Sequence, residues 1–160
     1  MFLLTRYKNS KILLIVSWIA VVLWMILIFY LSSQPAVDSN KLSKGVTEVV
    51  VEALEKIVPN ADLNNSKFNN VLRKNAHFFN YLILGLLITN ALGQSGIDRK
   101  RSIVIAFSIC IIYSISDELH QIFVPGRGAQ IRDVVIDTAG AVVGICIIAF
   151  CRRKRKTLFS

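Results

Sequence analysis

The chain reads as an all-α polytopic membrane protein, a bundle of four transmembrane helices with one amphipathic helix outside it. Three observations predict this. The composition is 54% hydrophobic and only 18% charged over 160 residues, with a mean hydropathy of +0.55, a balance suited to a bilayer. Apolar runs recur four times, at residues 12–31, 76–92, 103–124 and 134–151, each near the length that crosses about 30 Å of hydrocarbon at about 1.5 Å per residue. The charges are sorted between alternate loops. The apolar content excludes a disordered chain, and 8 Gly with 3 Pro exclude a collagen-like or linker-like one. The net charge of +9 does not suggest a nucleic-acid partner, because the basic residues lie between apolar runs and not on a polar surface.

Residues 12–31 contain no charge and form the clearest span. Arg6, Lys8 and Lys11 precede them as in a signal peptide, but the run exceeds a usual h-region and no small-x-small site follows, so an uncleaved anchor is expected. Next, Leu42, Val46, Val49, Val50, Ala53 and Ile57 recur at helical spacing with Glu48, Glu52, Glu55 and Lys56 between them. This predicts an amphipathic helix over about 42–58, lying on the membrane or capping the bundle. Pro59 and the Asn-rich stretch 60–70 are expected to break it. The whole chain, 1–160, is expected to form one domain.

With four spans, the N-terminus, the loop 93–102 and the tail 152–160 share one side. That side holds eleven basic residues (Arg6, Lys8, Lys11, Arg99, Lys100, Arg101, Arg152, Arg153, Lys154, Arg155 and Lys156) against the single acid Asp98. The other side holds eight basic residues and the nine remaining acids. The positive-inside rule therefore predicts a multi-pass membrane protein with both termini cytoplasmic. Cys110, Cys146 and Cys151 fall in or beside apolar runs without C-x-x-C spacing and read as packing residues.

The second, third and fourth runs carry polar residues at one end only, the end facing the external side. Arg73, Lys74, His77, Asn80 and Tyr81 enter the second; Asp117, Glu118, His120 and Gln121 leave the third; Arg127, Arg132, Asp133 and Asp137 lead into the fourth. A third span ending near Val124 would put Asp117 about 10 Å below the interface, and Asp137 would lie about 5 Å below it. An acidic side chain at mid-bilayer is unfavourable by about 2.5 to 3.5 kcal/mol, so such residues face the bundle interior and meet partners. Helical spacing agrees: Arg73, His77 and Tyr81 share one stripe, Asp117 and Gln121 another, and Asp133, Asp137, Gly140 and Gly144 a third. Gly140-x-x-x-Gly144 predicts a close neighbouring helix on the Asp137 face. Lys74 and Arg132 also read as snorkelling anchors, and His120 reads equally as a site residue or a helix-end contact.

These residues carry a family resemblance. The strings RKNAHFFNY (73–81), SDELHQIFVPGR (116–127) and RDVVIDTAGAVVG (132–144), with Ser-Ser-Gln-Pro at 32–35, resemble the signature blocks of the VanZ-like membrane proteins. The family's founding member is associated with resistance to teicoplanin, a lipid-tailed glycopeptide antibiotic. By motif, the resemblance points to Arg73, Lys74, His77, Tyr81, Asp117, Glu118, Gln121, Arg127, Asp133, Asp137 and Gly140. At position 137 relatives often carry Asn where this chain has Asp.

Three function classes follow. The first expectation is handling of an anionic membrane lipid or lipid-linked envelope precursor at the outer leaflet. In it, Arg73, Lys74, Tyr81, His120, Gln121, Arg127, Asp133 and Asp137 bind the substrate. An alternative is an outer-leaflet hydrolase or transferase in which Asp117, Glu118 and His77 do acid–base work or bind a divalent metal while Arg73 and Arg127 hold a phosphate. A structural partner of envelope synthesis, with the polar residues as helix glue, is the third. No Ser or Cys stands beside a histidine at this end to mark a nucleophile. Against a metal, the arginines would compete for the same carboxylates. The sequence assigns no cofactor and no protein partner.

Overall fold

The computed structural model describes residues 2–35 and 65–158, with side chains for 11–35 and 73–152. The amphipathic segment expected at 42–58 lies outside the described residues, as do the side chains of the tail beyond Arg152. Among the described residues the structure is all-α. It consists of α1 (Phe2–Ser32), α2 (Asn65–Gln94), α3 (Arg99–Gln121) and α4 (Ile131–Leu158). Each contains a stretch long and apolar enough to cross a membrane: Lys11–Ser32, Arg73–Gln94, Arg99–Gln121 and Ile131–Arg152.

Two boundaries differ from the sequence expectation. The Asn-rich stretch does not break the chain up to residue 70, because α2 begins at Asn65; local propensity is a weak prior against a long helix that packs along its length. The third run was expected to span to residue 124, yet α3 stops at Gln121 and the chain turns through Val124, Pro125 and Gly126. Gly126 adopts φ 75°, a left-handed conformation natural to glycine, and the Arg127 amide donates to the Val124 carbonyl at 3.0 Å to close the turn. At its other end α3 starts behind Asp98, whose carboxylate accepts from the amides of Lys100 and Arg101 at 3.0 and 3.1 Å and so satisfies two donors that a helix start leaves open.

The bundle is built on the α2–α4 contact. A Cβ on Gly140 would strike the Phe78 carbonyl, one on Gly144 the Leu82 carbonyl, and one on Gly85 the Ala141 carbonyl at 2.6 Å. The absence of side chains there lets the backbones touch, as the glycine spacing predicts. Tyr81, Leu84, Ile88, Ala91, Ala106, Cys110, Ala141 and Ile145 fill the interior between α2, α3 and α4. Helix α1 joins this core through Val21 and Ile28 and is held by Trp24 Nε1 donating to the Asn80 carbonyl at 2.9 Å and Tyr113 Oη donating to the Met25 carbonyl at 2.6 Å. Ile15, Leu23, Phe79, Val104, Ile112, Val135 and Phe150 are exposed along the four helices, a surface that requires a lipid environment.

Candidate functional site

The C-terminal ends of α1 and α3 and the N-terminal ends of α2 and α4 meet at one end of the bundle. The predicted polar residues gather there. Asp117, Glu118, Gln121, Asp133 and Asp137 are buried, none more than 3% exposed. In α2, His77 and Tyr81 face them from one stripe. His77 Nδ1 stands 3.3 Å from Asp137 Oδ1, and Tyr81 is fully buried with its hydroxyl unpartnered among the described residues. Arg73 Nη2 lies 3.6 Å from Asp133 Oδ2.

Each carboxylate is held differently. Asp137 Oδ2 accepts from Ser114 Oγ at 2.8 Å, and Glu118 Oε2 accepts from the Gln130 backbone amide at 2.7 Å. The latter fixes Glu118 at the start of α4, where Asp133 also sits and where the helix dipole favours negative charge. Among the described residues neither oxygen of Asp117 makes a well-formed hydrogen bond, although Ser32 and Gln121 stand beside it, and Glu118 Oε1, Asp133 Oδ1 and Asp137 Oδ1 also lack one. Among the described residues no Lys or Arg lies within ion-pair distance of Asp117, Glu118 or Asp137.

The arginines have turned elsewhere. Arg127 Nη1 donates to the Ser32 carbonyl at 3.1 Å, and its Nε is buried without an acceptor. Burial and the neighbouring Arg73 pull the Arg127 guanidinium below its ordinary value. Arg132 is exposed. The competition for carboxylates expected from the sequence therefore reduces to Arg73 with Asp133.

Two predicted residues are not brought into this cluster. Lys74 joins Ile131, Arg132, Val135 and Ile136 around a separate surface groove of about 320 Å³. His120 faces α1, with its Nε2 3.1 Å from Ser33 Oγ and its ring 4.6 Å from Phe29; it makes a helix-end contact, and it stands beside a serine that the sequence, read by spacing, did not place next to a histidine. Conversely, the structure adds Ser32, Ser114 and the Gln130 amide. Gln121 Nε2 donates to Ser32 Oγ at 2.9 Å, which ties α3 to the end of α1. Ser114 lies three residues before Asp117 on the same face, a spacing that could have revealed it; the Gln130 contribution is backbone and leaves no trace in residue type.

A two-arginine, four-carboxylate, one-histidine cluster beside a basic-rimmed apolar groove can bind an anion, hold a cation or move a proton. Comparison with curated proteins and with solved structures gave no match. Comparison with family models matched the VanZ/LLP1 model over residues 17–152, which includes most of the first span, the other three spans and every residue of the polar end. On the length of that match, the chain is a member of the VanZ/LLP1 family.

Proposed function

We propose that this family member handles an anionic lipid or lipid-linked cell-envelope precursor at the outer leaflet of a bacterial cell membrane, with both termini in the cytoplasm. The observation that carries the reading is the groove in which Lys74 and Arg132 flank Ile131, Val135 and Ile136. It pairs two cations with an apolar floor, the chemistry of a phosphate-bearing headgroup on an acyl chain. It opens at the end of the bundle where Arg73 and Arg127 lie. The eleven basic residues on the opposite side support the assignment of this end to the exterior. The family's link to teicoplanin, which carries a lipid tail, fits a protein acting on lipids or their precursors.

Native mass spectrometry of the protein released from detergent tests this. The parent should retain phosphatidylglycerol or an isoprenoid phosphate in preference to phosphatidylethanolamine. The double substitution Lys74→Ala with Arg132→Ala should reduce retention about tenfold, or about 1.4 kcal/mol. Equal retention of zwitterionic and anionic lipid, or no loss in the variant, would remove this reading.

A further inference from the structure

We infer that His77, Glu118 and Asp137 form a binding site for a divalent transition-metal ion such as zinc or manganese. One possible ligand atom from each of the three lies within 4.8 Å of the other two. Around a tetrahedral zinc with bonds of about 2.0 Å, neighbouring ligands are about 3.3 Å apart, so small side-chain rotations close the set. One pair already has that spacing: His77 Nδ1 and Asp137 Oδ1 are 3.3 Å apart, and among the described residues Oδ1 has no partner other than this ring nitrogen. The two atoms lie side by side, as two ligands of one ion do.

Independent support comes from how the carboxylates are held. Glu118 and Asp137 are 3% and 0% exposed. Each accepts a hydrogen bond on one oxygen, from the Gln130 amide and Ser114 Oγ, and leaves the other buried without a well-formed hydrogen bond among the described residues. A metal-ligating carboxylate is commonly oriented this way, one oxygen anchored by the protein and the other free for the ion. Asp117, buried in the same cluster, makes no well-formed hydrogen bond among the described residues on either oxygen.

Charge points the same way. Asp117, Glu118 and Asp137 have no Lys or Arg at ion-pair distance among the described residues, since Arg73 reaches Asp133 and Arg127 reaches the Ser32 carbonyl. With Arg127 nearby and His77 neutral, as a metal ligand must be, the three carboxylates in their ionised form would leave two negative charges, which one divalent ion would neutralise. A nitrogen ligand with two carboxylates suits zinc or manganese better than calcium or magnesium, which prefer oxygen-only sets. Three protein ligands would leave a coordination position for water or a phosphate oxygen. The site stands on its own geometry and does not depend on lipid binding.

The test uses the full chain purified in detergent, stripped with a chelator, incubated with zinc, manganese or cobalt(II) without added lipid, desalted, and assayed for metal by mass spectrometry. About one equivalent per chain is expected, with a rise in melting temperature. His77→Gln, Glu118→Gln and Asp137→Asn should each weaken binding at least tenfold, and Asp98→Asn, at the opposite end, should not. Cobalt(II) supplies a second readout: its visible spectrum should change in His77→Gln even where some metal is retained. A parent that binds none of the three ions, binds only calcium or magnesium, or gives the same stoichiometry and cobalt spectrum in all variants would overturn the site.

Discussion

Gln121 and Ser114, both fully buried, show what a single polar atom does inside the bundle. Gln121 is fully buried and its amide donates to Ser32 Oγ at 2.9 Å, so Gln121→Ala leaves that hydroxyl without its donor. Ser114→Ala likewise strips the donor from Asp137 Oδ2. Each should destabilise the protein by about 1 to 3 kcal/mol, read as a lower midpoint in a detergent melt at fixed concentration; unchanged midpoints would mean that these bonds contribute nothing. At this scale the sequence was legible where residue type and spacing coincide. Asp117, Gln121, Asp133 and Asp137 are costly in a membrane, lie on helical stripes, and are buried together. Ser32 was not legible as a site residue, because its partners Gln121 and Arg127 are 89 and 95 positions away and serine is unremarkable at the end of a span. His120 is a helix-end contact although its composition fits the site, since one step around the helix turns it from the Asp117 face to Phe29 and Ser33.

Among the elements, the close packing of α2 against α4 positions the site, because it sets His77 against Asp137 and Arg73 against Asp133. Gly144→Ala would drive a Cβ into the Leu82 carbonyl, and overpacking of this kind destabilises by about 1 to 3 kcal/mol. Gly128→Ala, where an added Cβ meets nothing within 4 Å, should leave the melting midpoint unchanged. Equal midpoints for both variants would show that the helices can separate freely. The Gly140-x-x-x-Gly144 spacing made this contact legible, whereas Gly85, which serves the same interface from the other helix, has no partner at four-residue spacing. The end of α3 was misplaced by three residues because Ile122, Phe123 and Val124 continue the apolar run past the last helical turn. Hydropathy follows the solvent and not the hydrogen bonding.

For the whole molecule, the four spans and their antiparallel order were legible from apolar length alone, and sidedness rests on the asymmetry of charge. In a background with Cys110, Cys146 and Cys151 replaced by alanine, a membrane-impermeant thiol reagent applied to intact cells should label a cysteine at position 129. It should miss cysteines at 98 and 156, and labelling of 98 from outside would reverse the topology. Stability tests most directly whether the polar end is kept for function or as helix glue. Asp117 is 3% exposed, and among the described residues neither of its oxygens makes a well-formed hydrogen bond or meets a Lys or Arg. A buried carboxylate without a pairing cation weakens a fold, whereas breaking a buried ion pair is unfavourable by about 3 to 5 kcal/mol. The measurement is the melting midpoint of purified Asp117→Asn in detergent beside that of the parent. A midpoint at or above the parent's is the predicted result; a midpoint more than about 5 °C lower would contradict it.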